Sequence, residues 1–235
     1  MARATKEEAE ITRQRILDAA TAGFAGRGYA AVRLEEIAAA ASVTRGAVYH
    51  HFDGKPGLFQ AVTAAAQQRI AERVRRAADG AADPWQGLLL GCRAFLAAAV
   101  APENRRILLI DAPAVLDWAT WRAQDDHASG RLLADGIAEL AAAGIIRVRS
   151  VRMTAALLSG AMNEAALRLA AGSESLAGQE SLAGQESPAG LENPHAGPAS
   201  HDSGPESPSP RQEEPDDLDD ALADLERLLD GLRAA

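Results

Sequence analysis

The segment LEEIAAAASVTRGAVYHHF, at positions 34–52, constrains the fold of this chain more than any other stretch. Apolar residues recur at helical spacing on both sides of a short turn, which predicts one helix over 34–40 and a second over 45–51. The small residues Ala38 and Ala39 let these two helices approach closely. Two short helices packed around so tight a turn leave the second helix exposed along one face.

The rest of the chain also has a helical pattern. Helical spacing from Ile11 to Phe24 predicts a first helix, which ends near Gly26 and Gly28 because glycine tolerates the positive φ of a helix terminus. A composition that is 47% hydrophobic but only 4% aromatic suits a helical core filled by alanine and leucine. The sequence therefore predicts an all-α fold. Further helices are predicted over 58–78, 84–100, 103–110, 118–143 and 151–171.

Two different segments follow the last of these helices. Gly, Pro and Ser make up 21 of the 44 residues from 172 to 215, so this low-complexity segment is predicted to be a disordered linker. After it, leucines spaced alternately four and three residues apart predict an amphipathic helix within 216–235. That helix either packs on its own domain or contributes to a dimer interface, alone or in addition to such packing. The leucines are Leu218, Leu222, Leu225, Leu229 and Leu232.

The net charge of −9 is distributed unevenly along the chain. Residues 1–76 contain 12 Lys and Arg against 8 Asp and Glu, whereas residues 172–235 contain 3 against 15. Because binding to a polyanion depends on the local field, only the amino-terminal segment suits contact with nucleic acid phosphates.

The start of the second short helix has the residue types that contact DNA. Thr44 is placed to cap this helix, whose amino terminus then directs positive charge at a phosphate. Arg45 can reach a guanine edge with two hydrogen bonds, or a phosphate. Gly46 lets the backbone approach the groove, while Tyr49 and His50 offer donors to flanking phosphates.

Here the sequence resembles the TetR family of transcriptional regulators. The resemblance lies in TRGAVYHHFDGKPGLFQAV, preceded by TRQRILDAATAGFAGRGYAAV, and covers Thr12 to Val62. It implies a three-helix helix-turn-helix DNA-binding domain at 1–54, followed by a helical effector-binding and dimerisation core at 55–171. The linker at 172–215 then leads to the helix of the dimer interface at 216–235. The DNA-binding residues predicted in this way are Arg33, Thr44, Arg45, Gly46, Tyr49, His50 and Lys55, with Thr12 or Arg13 as possible further phosphate contacts.

Three residues depart from the family pattern. Arg33 replaces the hydroxyl residue that usually caps the second helix, and we expect it to contact phosphate through its charge. Glu35 stands at an often basic or variable position, where it either accepts a hydrogen bond from a cytosine amine or is solvated. Ser42 replaces the usual turn glycine.

The resemblance further implies a homodimer that binds palindromic operator DNA as a repressor and is released by a small effector. A recognition helix of two turns reads few base pairs, which independently favours two copies on adjacent half-sites. Apolar residues of the middle helices are either core or the walls of an effector pocket suited to an apolar molecule. Asp111, Arg122, Asp125 and His127 either orient that effector or form a solvated face. The candidate walls are Phe95, Leu96, Leu109, Leu116, Trp118, Trp121 and Leu157.

Other functions lack their characteristic residues. The chain has no phosphate-binding loop, no serine elbow and no nucleophile paired with a base, so we expect no enzyme and no cofactor. The neighbours His50 and His51 point about 100° apart on a helix, which does not suit a metal site. Cys92 cannot form an internal disulfide, and the absence of a long apolar run predicts a cytoplasmic protein with no membrane partner. The alternative function is an activator, or a DNA-binding dimer controlled by a protein partner instead of a small molecule.

Overall fold

In a computed structural model of the protein, the backbone is described for residues 2–183 and 218–233. The side chains of residues 2–5, 118, 126 and 172–183 lie outside this description. The described backbone is helical apart from short connections and one isolated bridge, so the predicted all-α fold is confirmed. The helices are α1 (Ala2–Ala31), α2 (Leu34–Ala40), α3 (Arg45–Phe52), α4 (Gly54–Asp79), α5 (Pro84–Val100), α6 (Pro102–Arg105), α7 (Ala112–Val115), α8 (Trp118–His127), α9 (Ser129–Ala142), α10 (Val151–Ala183) and α11 (Leu218–Asp230). A π-helical turn, Arg106–Asp111, joins α6 to α7.

The first three helices form a small head around a shared core. Phe24, Ile37 and Val48, one from each helix, are almost fully buried. The guanidinium of Arg15 on α1 donates to the carbonyl oxygen of Ala41 at 2.6 Å, which ties the turn after α2 to α1. The head therefore holds α2 and α3 as a rigid pair, with one side of α3 in solvent.

The first helix of α1 ends at Gly28, as its glycines predict, because the backbone leaves helical geometry there with a φ of 83°. A short helical segment beyond this kink extends α1 to Ala31. The guanidinium of Arg106 packs against Gly28. Glycine is favoured here because a φ of 83° strains any residue with a Cβ atom.

The remaining helices pack into a second, larger bundle. Helix α4 packs against α5, which also contacts α9 and α10. The predicted helix over 118–143 is divided in two, because the backbone leaves helical geometry at Ala128. Ser129 and Gly130 follow this break, and both have low helix propensity.

The carboxyl-terminal helix α11 packs within its own chain. Its leucine stripe buries Leu222, Leu225 and Leu229, and α11 contacts α5 and α10. The backbone N–H of Arg147 donates to the carbonyl oxygen of Leu232 at 3.0 Å, which fastens the end of the chain to the loop before α10. The stripe therefore packs on its own domain, and a contribution of α11 to a dimer interface in addition stays a prediction.

Helix α10 enters the segment predicted to be a linker. It continues to Ala183, whereas the linker was expected to begin at 172. Alanine, leucine, glutamine and glutamate in this stretch are good helix formers, which explains the extension. The remainder of the predicted linker, 184–215, lies outside the described residues.

A helix that spans a membrane must be both long enough and apolar enough to cross the hydrocarbon core. Within residues 2–183 and 218–233, no single helix satisfies both criteria. One bent pair, Pro84–Val100 and Pro102–Val115, satisfies them only when its two members are joined across an angle of 72°.

We predict that Ser42→Gly stabilises the head. Ser42 has a φ of 54°, a left-handed conformation that strains a residue with a Cβ atom. Removing this strain outweighs the greater flexibility of glycine in the unfolded chain, so the free energy of unfolding should rise by about 0.5–1 kcal/mol. Chemical denaturation measures the change.

A glycine at exposed, helical Ala39 serves as the control. Ala39→Gly should lower the free energy of unfolding by about 1 kcal/mol, because glycine is a poor helix former. A loss of stability in Ser42→Gly would contradict the strain argument.

Candidate DNA-binding surface and effector cavity

The predicted DNA-contacting residues lie at the starts of α2 and α4 and along α3. All except one are exposed, and they occupy the start of α2 and the exposed face of α3. Lys55, at the start of α4, is half-buried, with its ammonium 4.3 Å from the ring centroid of Tyr29. The exposed members are Arg33, Thr44, Arg45, Gly46, Tyr49 and His50.

The first turn of α3 is capped by Thr44. Its hydroxyl oxygen accepts a hydrogen bond from the backbone N–H of Ala47 at 3.2 Å. This cap leaves the amino terminus of α3 exposed, with its partial positive charge available to an anion. Of the possible helix-one contacts, Arg13 stacks its guanidinium 5.2 Å from the ring centroid of Phe52, and Thr12 is half-buried.

Arg45 is held by two neighbouring side chains. Its Nη1 lies 2.7 Å from Oε1 of Glu35, and its Nη2 donates to the hydroxyl of Tyr49 at 3.2 Å. The Tyr49 hydrogen bond, followed by the charge of Glu35, raises the pKa of the Arg45 guanidinium. The sequence predicts that Glu35 either contacts cytosine or is solvated, and it does not reveal this ion pair, which joins α2 to α3. Opposite charges at 35 and 45 were the only signal in the sequence.

The next acidic residue of α2 makes different contacts. Glu36 lies 2.6 Å from Nη1 of Arg27 and 3.7 Å from Nε of Arg33. The Arg33 side chain is 81% exposed, so its charge is still directed into solvent at the start of α2. These adjacent glutamates, which point about 100° apart on the helix, thus pair with different arginines.

A polar joint connects the head to the larger bundle. The backbone N–H of Tyr29 donates to Oδ2 of Asp111 at 2.7 Å, and Nε of Arg106 lies 3.9 Å from the same oxygen. Arg106 also packs against Gly28, as described above. Asp111, predicted as a pocket residue, therefore connects the π-helical turn to the kinked end of α1.

A cavity of about 490 Å³ lies inside the larger bundle, between α4, α5, α9 and α10. This volume is within the range of small-molecule sites. Small residues such as Gly91 and Gly136 line it and leave its interior unfilled. Its apolar lining includes Val74, Leu88, Cys92, Phe95, Leu133 and Met162.

The charged groups around this cavity are mainly acidic. Five carboxylates line it, whereas the only lining cation among the described residues is Arg75, whose guanidinium is hydrogen-bonded to Glu72 outside the cavity. Four of the carboxylates are exposed at the mouth, and Asp125 is buried at the inner end. The five are Asp79, Asp83, Asp125, Asp135 and Glu139.

Asp125 belongs to a buried polar cluster that faces the cavity. Its Oδ2 accepts hydrogen bonds from the hydroxyl of Ser159 at 3.3 Å and from Nδ2 of Asn163 at 3.2 Å. Nη1 of Arg122 lies 3.6 Å from the same oxygen. Asp125 is 5% exposed, so it is not part of a solvated face. His127, in contrast, is exposed and contacts the carbonyl oxygen of Ala123.

Most of the predicted pocket residues lie away from the cavity. Among the predicted walls, Phe95 lines it and none of the other described walls does, whereas Asp125 is the one predicted polar group that lines it. Leu96, Leu109 and Trp121 are buried in the core, Leu116 is half-buried, and Leu157 is 68% exposed on α10. The side chain of Trp118 lies outside the described residues.

Cys92 lies in the cavity wall. Burial raises the pKa of its thiol to about 12. The residue is therefore a neutral thiol at physiological pH, and it behaves as a small apolar group. Among the described side chains, no group of three or more His, Cys, Asp or Glu is arranged to hold a metal ion.

Two known families match successive parts of the chain. The family described as bacterial regulatory proteins, tetR family, matches residues 16–62, from the middle of α1 into α4. The family described as tetracyclin repressor-like, C-terminal domain, matches residues 85–184, which begin in α5 and extend through α10.

Curated relatives match a shorter part of the chain. The HTH-type transcriptional regulator AcrR of Shigella flexneri is 41% identical over 110 residues, which are 46% of this chain and 51% of that protein. The regulator SrpR of Pseudomonas putida is 53% identical over 70 residues, 30% of this chain and 33% of that protein. The chain thus spans about half or less of the length of these relatives.

A solved structure is similar over the whole chain. The crystal structure of a TetR-family transcriptional regulator from Pectobacterium atrosepticum is 30% identical, with a TM-score of 0.69. The match covers 97% of this chain and 97% of that one. The protein therefore belongs to the TetR family of transcriptional regulators.

Proposed function

We propose that this protein is a homodimeric transcriptional repressor that binds palindromic operator DNA and is released by a small molecule. The observation that carries the proposal is the exposed start of α3. There Arg45 and Tyr49 face solvent beside a helix terminus capped by Thr44. This arrangement combines a base-reading guanidinium with donors for the flanking phosphates.

A dimer is supported by an unusual surface of α10. Met153 and Leu157 are 53% and 68% exposed, and no atom lies within 4 Å of a Cβ built at Gly160. These residues and Leu167, which is also exposed, are spaced so that they share one face of the helix. A second copy that packs its α10 against this face would cover the apolar side chains and place two heads on adjacent half-sites.

The effector site is the cavity between α4, α5, α9 and α10. Its apolar walls favour a molecule with an apolar body, as expected for this family, but its five carboxylates favour one that also carries a positive charge. Val74 and Ala78 line the cavity from the far end of α4, whose first turn contacts α3. A displacement of α4 would therefore reach the DNA-binding head.

The proposal predicts that Arg45→Ala and Tyr49→Ala weaken operator binding. Selection from random duplexes defines the preferred operator, and titration with the wild type and both variants at two salt concentrations measures the dissociation constants. Arg45→Ala should raise the dissociation constant about tenfold or more, because a bidentate guanine contact contributes on the order of 1–3 kcal/mol. Added salt should weaken wild-type binding.

Arg131→Ala provides the matched control. Arg131 is an exposed arginine on α9, away from the head, and its removal should leave operator affinity unchanged. Failure of the wild type to select any sequence, or wild-type affinity in both head variants, would contradict DNA reading by α3.

If the exposed face of α10 forms the dimer interface, Leu157→Glu should lower the molecular mass of the protein in solution. A carboxylate in the centre of an apolar interface is desolvated without a partner, so light scattering should report a monomer where the wild type is a dimer. Ile11→Glu introduces the same change at a 55% exposed residue of α1 and should remain dimeric. A dimeric Leu157→Glu protein would place the interface elsewhere.

The charge of the cavity predicts selective binding among probes of equal shape. Benzyltrimethylammonium should bind at least about tenfold more tightly than neutral neopentylbenzene, while benzylsulfonate should not bind detectably. Asp125→Asn should remove most of this preference without affecting the neutral probe, whereas Asp224→Asn on α11 should preserve it. Calorimetry measures the affinities.

The same probes test the regulatory step. Release of the operator by the bound cation would support repression, whereas tighter operator binding would support an activator. Equal affinity for the cation and its neutral analogue, or no binding of any probe, would contradict the proposed effector class.

A further inference from the structure

The ion pair between Glu35 and Arg45 joins the two helices of the helix-turn-helix. Glu35 lies in the first turn of α2, and Arg45 is the first residue of α3. Both side chains are more than half exposed, with Nη1 of Arg45 2.7 Å from the glutamate oxygen. The guanidinium is therefore held at the surface that the proposed function directs at DNA, and its position depends on a second helix.

The contacts of Arg45 leave it able to bind a base. A guanidinium has five N–H donors, of which Tyr49 accepts one and the ion pair of Nη1 with Glu35 occupies no more than one other. At least three donors remain, and bidentate contact with guanine requires two. Glu35 therefore does not need to release Arg45 when Arg45 reads a guanine.

The charge of Glu35 opposes simple attraction to DNA. A carboxylate on this surface is repelled by phosphates, so it lowers the affinity of the head for any duplex. A residue that only strengthened DNA binding would be neutral or basic here. The ion pair with Arg45 is the observed contact through which Glu35 can offset this cost.

We propose that Glu35 is a positioning residue that sets base selectivity through Arg45. It holds the guanidinium in one orientation, so that the arginine contacts a guanine edge instead of the nearest phosphate. Glu35 thus increases selectivity for sequence while it decreases affinity for DNA in general. This inference rests on the proposed function, because it concerns the same DNA-binding surface.

Glu36 offers a matched control within the same turn of α2. It has the same charge and pairs with Arg27 and Arg33 instead of Arg45. Glu36→Gln and Glu35→Gln thus remove equal charge from neighbouring positions, but only Glu35→Gln frees Arg45. Both glutamates have exposed or half-exposed side chains, so neither substitution leaves a cavity in the core.

The experiment measures dissociation constants of full-length protein for the selected operator, for operators with each base pair changed, and for an unrelated duplex. Glu35→Gln should bind the unrelated duplex as tightly as the wild type or more tightly, while its preference for guanine at one base pair falls about tenfold. Glu36→Gln should keep that preference. Adding Glu35→Gln to Arg45→Ala should leave base preference as in Arg45→Ala alone.

Two results would overturn the inference. Unchanged guanine preference in Glu35→Gln would show that Arg45 needs no positioning. An equal effect of Glu35→Gln with and without Arg45 would show that Glu35 contacts a base itself.

A measurement without DNA separates this inference from the proposed function. The ¹⁵Nε relaxation of Arg45 in the free protein should report a rigid side chain in the wild type and a mobile one in Glu35→Gln. A side chain equally mobile in both would refute the positioning role directly. A rigid side chain in a wild type that selects no operator would instead refute only the proposed function.

Discussion

Both halves of the protein depend on one continuous helix, α4. Its first turns bury Leu58 and Phe59 beside the head, and its later turns bury Ile70 and Val74 in the larger bundle. A helix of 26 residues is about 39 Å long. It resists bending, because a kink would break backbone hydrogen bonds between successive turns. The two cores therefore share a stiff element, and neither can rearrange at α4 without affecting the other.

Local features of the head could be predicted from the sequence. The cap at Thr44, the break after Phe52 and the close packing of α2 and α3 depend on residues near each other in the chain. The ion pair of Glu35 could not be predicted in this way, since it depends on the angle between two helices. Propensity and periodicity indicate which side chains are exposed, but not which of the exposed ones meet.

The cavity was harder to predict than the fold, for a physical reason. Apolar periodicity identifies side chains that leave water, and Leu109 and Trp121 do so by filling the core. A cavity forms where packing is incomplete, and here small residues such as Gly91 and Gly136 line it. The acidic residues of its mouth come from separate helices, so no local pattern combines them. The sequence thus predicted a bundle able to contain a pocket, whereas its position depended on three-dimensional packing.

The joint at Asp111 limits how an effector could control the head. The Asp111 carboxylate accepts a hydrogen bond from the backbone N–H of Tyr29. The kink at Gly28 leaves this N–H without a partner in its own helix. Breaking this bond would leave the part-buried N–H of Tyr29 unsatisfied, so a ligand-induced motion that preserves the bond costs less. Movement of the far end of α4 would then turn the head about this joint instead of detaching it. Such a rotation would change the separation of two α3 helices in a dimer, and operator DNA is sensitive to that distance because its half-sites repeat with the helical turn.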